Sequence, residues 1–305
     1  MPPEILVVGA RGRVGREVLR ALSRTGAKVR ALTRTRAAPG TDLFGAREVV
    51  GDLADRASLA AALEGVDRAF FVTPHTEDEE ALGRGFVDAA IAAGVRRLVF
   101  ASAYHADFTS KLGFSLFVGA MGLLTHYGPK LRVERHVRRA DASPVVLMPS
   151  NFFQNDELFL DEIRAGHYPQ PLGLRGVNRV DCRDIGDAAA RALTDDGVET
   201  GAYPLVGAEA TLTGPECAAA WARALGREVV YDGDLDRWYA LVAERMHARE
   251  REDFRKTYKL FRRVRVAASS ADHARVTALL GRPPRSYETY VAERAAALLA
   301  TATGS

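Results

Sequence analysis

The segment EILVVGARGRVGREVLRAL, residues 4–22, sets Gly9, Gly12 and Gly15 between a β-branched run and a stretch in which Val14, Val18 and Leu22 recur every four residues. Glycines at a strand-to-helix turn allow tight backbone geometry and close approach to a phosphate. The helix that follows adds free N–H groups and the positive end of its dipole, worth about 0.3–1 kcal/mol to an exposed anion. A plain strand–turn–helix connection needs no charge, yet Arg11 and Arg13 flank Gly12. In this context the GxxGxxG spacing predicts a dinucleotide site built from Gly9, Arg11, Gly12, Arg13, Val14 and Gly15.

The end of the second strand tests which dinucleotide. Folds selective for NAD place an Asp or Glu there, on the ribose 2′-hydroxyl. From Val18 to Thr41 there is no acidic residue, and the strand ends ALTRTRAAPG, with Arg34 and Arg36. Guanidinium groups match a 2′-phosphate bidentately. Residues 1–50 hold ten Lys/Arg against four Asp/Glu. A single arginine is explained by solvent exposure; the missing carboxylate is what favours NADP(H) over NAD(H).

Stepping strands carry these residues. Apolar runs at 4–9, 28–33, 47–51, 68–73, 96–102 and 144–149 alternate with helical patterns through residue 150. That rhythm predicts an α/β fold, a doubly wound parallel sheet of the Rossmann type, with its ligand at the carboxyl ends of the strands. The acidic EDEE, 77–80, stands where a helix dipole favours negative charge. After residue 150 the rhythm is irregular. Helices are expected at 184–196, 213–225 and 234–250, and short strands at 201–207 and 227–232. The division expected is a cofactor-binding domain over 1–155, rejoined by some later segments, and a smaller α+β substrate-side lobe over 156–305.

Composition narrows the class. The 305 residues are 47% hydrophobic and 27% charged, as in ordinary soluble proteins, and a net charge of +3 makes no case for nucleic acid. Cys182 and Cys217 lack metal-ligand spacing, so no metal is expected. No basic region followed by a long apolar stretch opens the chain, which reads as cytoplasmic. The apolar stretch 112–124 is 13 residues long, short of the roughly 18 that a membrane span needs. It reads as a buried segment or pocket wall. Residues 244–265 carry nine Lys/Arg and four acids, with Phe254, Tyr258 and Phe261 at helical spacing, and read as an amphipathic helix with a solvated face.

Together VVGARGRVGREV, ALTRTR, VVGDLADRASLAAALEGVDRAFFVTP, AAIAAGVRRLVFASAYHAD, KLRVERHVRRADASPVVLMPSNFFQN and VDCRDIGDAAARAL resemble the NmrA-like family of atypical short-chain dehydrogenases. That family includes quinone oxidoreductases, triphenylmethane reductase, isoflavone-reductase-like enzymes and redox-sensing regulators. The resemblance covers most of the chain and is strongest over 4–155. It implies that Asp52 and Leu53 face the adenine and that Thr73 and Pro74 line the nicotinamide-side ribose. It also puts Ser102 and Ala103 near the nicotinamide, and Asn151, Phe152 and Phe153 closing over it.

Typical short-chain dehydrogenases set a Tyr four residues before a Lys; the Lys holds the ribose and the phenol passes a proton. Lys130 matches that lysine, but THYGPK puts His126 four residues before it and Tyr127 three before. Pro129 favours a helix starting there, which leaves both in the preceding loop. The proton relay is therefore absent as written, which disfavours epimerases and ordinary carbonyl reductases. Lys130, Tyr104, His126 and Tyr127 stand as catalytic candidates, with His105 or water as further proton sources. The reading is an NADPH-dependent oxidoreductase acting on a quinone-like or conjugated aromatic molecule. A sensor without turnover and a C=C reductase are the alternatives. A small apolar or aromatic substrate is the expected partner, without nucleic acid or a membrane span, and a homo-oligomer is left open.

Overall fold

The computed structural model describes residues 2–105 and 127–302. Seven parallel strands form the main sheet: β1 (Glu4–Val8), β2 (Lys28–Thr33), β3 (Arg47–Val50), β4 (Arg68–Phe71), β5 (Arg97–Ala101), β6 (Val145–Pro149) and β10 (Gly201–Leu205). Their spatial order is β10-β6-β5-β4-β1-β2-β3. The order reverses between β1 and β4, and a doubly wound sheet opens its ligand crevice at that point. The central strands are buried on both faces, which is why their sequences are apolar runs without alternation.

Helices cover both faces. On one lie α2 (Arg56–Leu63), α3 (Glu79–Ala92) and α4 (Gly128–Val137); on the other lie α1 (Arg13–Leu22), α6 (Cys182–Thr194) and α10 (Ser270–Leu280). Two glycines set how closely the helices approach. A Cβ on Gly186 of α6 would lie 2.5 Å from the Glu17 carbonyl oxygen of α1, and one on Gly83 of α3 would lie 2.6 Å from Val133 of α4. The second contact seats α4 against α3, where Lys130 of α4 reaches Glu79 at the start of α3.

Residues after 155 do not stay apart from the sheet. α6 begins at the Asp181 cap, whose carboxylate accepts the Arg183 N–H at 2.8 Å, and packs on α1. β10 then pairs with β6 over Val145–Pro149. At the amino ends of the strands, Arg68 and Arg97 are both buried and donate to the Leu193, Ala192 and Val198 carbonyls where α6 ends, each at 2.8 Å. Guanidinium groups there answer the free carbonyls and the negative end of the helix dipole.

The second lobe is built from α5 (Leu160–Arg164), α7 (Gly214–Leu225), α8 (Leu235–Leu241), α9 (Ala248–Phe261) and α11 (Tyr287–Ala302), with the short pairs β8 (His167–Tyr168) and β11 (Val230–Tyr231), and β7 (Asn151–Phe152) and β9 (Arg179–Val180). The single helix expected over 234–250 is two, α8 and α9, separated by a turn over 242–247. Tertiary packing overrides the continuous periodicity: Val242 is buried, Arg245 pairs with Glu162, and Trp238 of α8 meets Tyr258 of α9 edge-on at 4.8 Å. At the lobe's centre lies a fully buried ion pair, Asp156–Arg179 at 2.8 Å. Tyr168, Gln170, Trp221 and Tyr287 supply the remaining donors to Asp156. Among the described residues, no helix is long and apolar enough to cross a membrane.

Candidate active site

The glycine turn joins β1 to α1. Gly9 has φ +78°, and a Cβ there would lie 2.5 Å from a Val72 methyl. A Cβ on Gly15 would lie 2.1 Å from the Gly9 carbonyl oxygen, so α1 rests directly on the turn. Gly12 differs: it is exposed, and a Cβ would meet only the Gly9 oxygen, at 3.2 Å. Gly12 is also the N-cap of α1, with no capping side chain and no acid in the first turn. The orphan N–H groups of that turn are thus left to an anion. This geometry fits a dinucleotide pyrophosphate. Val14 packs into the core behind it, while the exposed Arg13 donates to Asn155 at 2.9 Å and ties the turn to the second lobe.

Arg11, Arg34 and Arg36 are exposed just beyond the ends of β1 and β2. One carboxylate does reach this place, from a different strand. Glu48 of β3 accepts the Ala37 N–H at 2.6 Å and the Thr33 hydroxyl at 2.9 Å. Those two bonds hold its carboxyl below the usual range, and the charges of Arg36 and Arg11 lower it further. Arg11 of the glycine turn and Arg36 of the β2 loop therefore act on one point. Asp52 is exposed and accepts the Ala54 N–H at 2.9 Å, while Leu53 packs partly on the core.

Between β4 and β5 the strand ends meet α4. Lys130 is 4% exposed; its Nζ lies 2.6 Å from Thr73 Oγ1 and 2.8 Å from a Glu79 oxygen, and the Thr73 hydroxyl donates to the same carboxylate at 2.6 Å. Burial lowers the Lys130 ammonium below its ordinary value, and Glu79 offsets part of that. Glu79 begins α3, so the acid expected merely to serve the helix dipole is the buried counter-charge of the site lysine. Pro74 follows, half-buried. A cavity of about 370 Å³ opens alongside, lined by His75, Glu79, Pro129, Arg249 and Glu252 among others.

One turn after Lys130, Glu134 receives three donors. Ser102 donates at 2.5 Å, Arg138 donates through two nitrogens at 2.9 and 2.6 Å, and His105 Nε2 lies 3.3 Å from both carboxylate oxygens. Burial alone would raise this carboxyl; the bonds from His105, Ser102 and Arg138 outweigh it and hold it at about 2. Neither Glu79 nor Glu134 was expected from sequence. Their signal was available in part, since Glu134 is four residues after Lys130 and shares its helix face.

The tyrosines go elsewhere. Tyr104 directs its hydroxyl to Asp272 at 3.1 Å and the Ala267 carbonyl at 3.3 Å, and burial with Asp272 raises its phenol. The Tyr127 hydroxyl lies 3.5 Å from Thr257 of α9, and burial raises it as well. His126 and the apolar stretch 112–124 lie outside the described residues. Asn151 is half-buried and accepts from Arg179 at 3.0 Å. The Phe152 carbonyl accepts from the same guanidinium at 2.8 Å. The Phe153 ring is fully buried against Tyr287 and Tyr290, and its carbonyl accepts from the Arg179 guanidinium at 3.3 Å.

A doubly wound sheet with a glycine turn at its switch point, an uncapped α1 and a buried lysine on α4 defines a dinucleotide-binding protein of the short-chain dehydrogenase type. Residues 1–266 match the NmrA-like family, and the chain belongs to it. It is 34% identical over 229 residues to an NAD(P)H azoreductase of Xenophilus azovorans, covering 74% of this chain and 76% of that one. It is 32% identical over 297 residues to (4-alkanoyl-5-oxo-2,5-dihydrofuran-3-yl)methyl phosphate reductase of Streptomyces griseus, covering 96% and 98%. An NADPH-dependent quinone oxidoreductase from Escherichia coli, solved with NADPH, superposes with a TM-score of 0.74 at 21% identity, over 97% of this chain and 99% of that one.

Proposed function

We propose that this protein is an NAD(P)H-dependent oxidoreductase that prefers NADPH and reduces quinone-like or conjugated aromatic molecules. The carrying observation is the combination at the strand ends. Lys130 and Ser102 occupy the positions expected to border the cofactor, yet both nearby phenols, Tyr104 and Tyr127, are bonded away from them. Chemistry that requires a tyrosine proton relay is poorly served by this arrangement. An electron-poor conjugated acceptor needs chiefly to be held against the cofactor. The activities named for the azoreductase and the dihydrofuranone reductase support the same class of acceptor.

The fit to cofactor rests on the open α1 terminus and Gly12 for the pyrophosphate, on Arg11, Arg34 and Arg36 for a 2′-phosphate, and on Lys130 and Thr73 for the nicotinamide ribose. When bound, the reduced nicotinamide supplies a hydride. The chain's own residues fix its place: Glu79 holds the Lys130 ammonium, and the Arg179 guanidinium anchors Asn151 and the Phe152 carbonyl. The test is loss of NADPH absorbance with a panel of quinones, azo compounds and conjugated ketones. Steady oxidation with at least one acceptor is expected. Tight NADPH binding without acceptor-dependent oxidation would refute the reading and favour a sensor.

A further inference from the structure

Arg34 and Arg36 sit on a loop, residues 34–40, that forms neither helix nor strand. Two like charges on an exposed loop push it open, and ordering it costs entropy. Something outside the loop must hold both guanidinium groups in place if one phosphate is to meet them together. Glu48 does this from β3. It is in register with Ala31, two residues before the end of β2, and its side chain reaches along the sheet to the loop. One oxygen, Oε1, accepts both the Thr33 hydroxyl at 2.9 Å and the Ala37 N–H at 2.6 Å. Those donors stand on either side of residues 34–36, so a single carboxylate closes the three residues into a ring. Thr33 is buried and belongs to the sheet, which fixes the ring at that end. Glu48 feels the charges of Arg36 and Arg11, but neither guanidinium is held by an ion pair among the described residues.

We propose that Glu48 is the positioning residue for cofactor choice: by closing the loop it presents Arg34 and Arg36 to the 2′-phosphate that NADPH carries and NADH lacks. The inference rests on the NADPH preference proposed above. Glu48 acts in two opposed ways. Its hydrogen bonds hold the guanidinium groups in place, which favours NADPH. Its charge lies beside the same arginines and disfavours any anion bound to them. The first effect is the larger. A loop closed only part of the time lowers the apparent affinity by the closed fraction, whereas charges that do not touch are screened in an exposed site. An amide separates the two effects, because glutamine keeps an oxygen for Thr33 and Ala37 and carries no charge. Neither effect touches NADH, which has a hydroxyl where NADPH has the phosphate.

The test titrates wild type, Glu48→Ala, Glu48→Gln and the double variant Arg34→Ala/Arg36→Ala with NADPH and with NADH. Losing both hydrogen bonds leaves the loop mostly open, so Glu48→Ala is expected to weaken the Kd for NADPH about tenfold and that for NADH less than about twofold. Glu48→Gln is expected to bind NADPH at least as tightly as wild type, with a gain of up to about threefold at low salt. Adding Glu48→Ala to the double arginine variant is expected to cause no further loss for NADPH, the signature of a residue that acts through those two. Equal losses for both cofactors in Glu48→Ala, a Glu48→Gln as weak as Glu48→Ala, or a further loss in the arginine-free background would overturn the proposal. Should Glu48→Ala fail to fold, Glu48→Gln decides alone: NADPH binding weaker than wild type refutes the loop closure. A wild type that binds NADH as tightly as NADPH would instead remove the preference on which the inference rests.

Discussion

Replacing Arg34 by alanine isolates the charge expected to choose between the two nicotinamide dinucleotides. Arg34 follows the last residue of β2 and is exposed. Its removal leaves the sheet intact, because the Thr33 hydroxyl and the Ala37 N–H still close the loop on Glu48. It also leaves Arg11 and Arg36, whose charges both reach Glu48. The loss is therefore one charged hydrogen-bonding group out of three. Such a bond contributes about 1.5–3 kcal/mol, and an exposed position favours the lower end. About 1.5–2 kcal/mol corresponds to a roughly 10–30-fold weaker Kd for NADPH. NADH has no 2′-phosphate, and its Kd is expected to change less than about threefold. Titration calorimetry at low and high salt reads both values, with the NADPH difference shrinking as salt rises. Equal changes for the two cofactors, or a wild type that binds NADH more tightly, would refute the assignment of the arginine site.

Two glycine variants should separate folding from binding. Gly15→Ala forces a Cβ to 2.1 Å from the Gly9 oxygen and is expected to cost at least about 3 kcal/mol, whereas Gly12→Ala, with its nearest contact at 3.2 Å, should melt like wild type but bind NADPH at least about tenfold more weakly. Asp156→Asn strips the charge from the buried partner of Arg179 and is expected to lose about 3–5 kcal/mol in urea unfolding; a loss below about 1 kcal/mol would contradict the ion-pair account. Glu134 titrates at about 2 in the folded chain against an ordinary 4.5. Its ionised form thus adds up to about 3 kcal/mol above pH 4.5, and this is lost as pH falls toward 2. Stability measured across that window should fall less steeply in Glu134→Gln than in wild type.

The sheet was readable because its signals are local. Six strand runs and the glycine turn are each written within about ten residues, and parallel crossovers leave few topologies. Lys130, Thr73 and Ser102 could be placed for the same reason, since each follows a strand or starts a helix. What stayed hidden depends on pairs distant in sequence. Glu79 looks like an acid at a helix start until α4 brings Lys130 to it from 51 positions away. Glu48 comes to the arginine loop from a neighbouring strand, so a search along the 20 residues after the glycines misses it. The Asp156–Arg179 centre gathers donors from three other segments, at Tyr168 and Gln170, at Trp221 and at Tyr287, and the break between α8 and α9 is set by packing that no periodicity records.

Arg68 and Arg97 also say something about the order in which this chain is made. Both occupy the first residue of a central strand, and both find their carbonyl partners only at residues 192–198. The open edge of β6 is covered only when Gly201–Leu205 arrives. A ribosome adding about 5–20 residues per second needs roughly 5–20 s to pass from Ala101 to Leu205. Through that interval the nascent chain carries two guanidinium groups without their buried acceptors and, once β6 emerges, an unpaired apolar strand edge of the kind that invites aggregation. The sheet begun by the first half of this protein is thus finished by the half that follows it, and a chaperone that shields β6 should raise the yield of full-length protein more than one that acts after release.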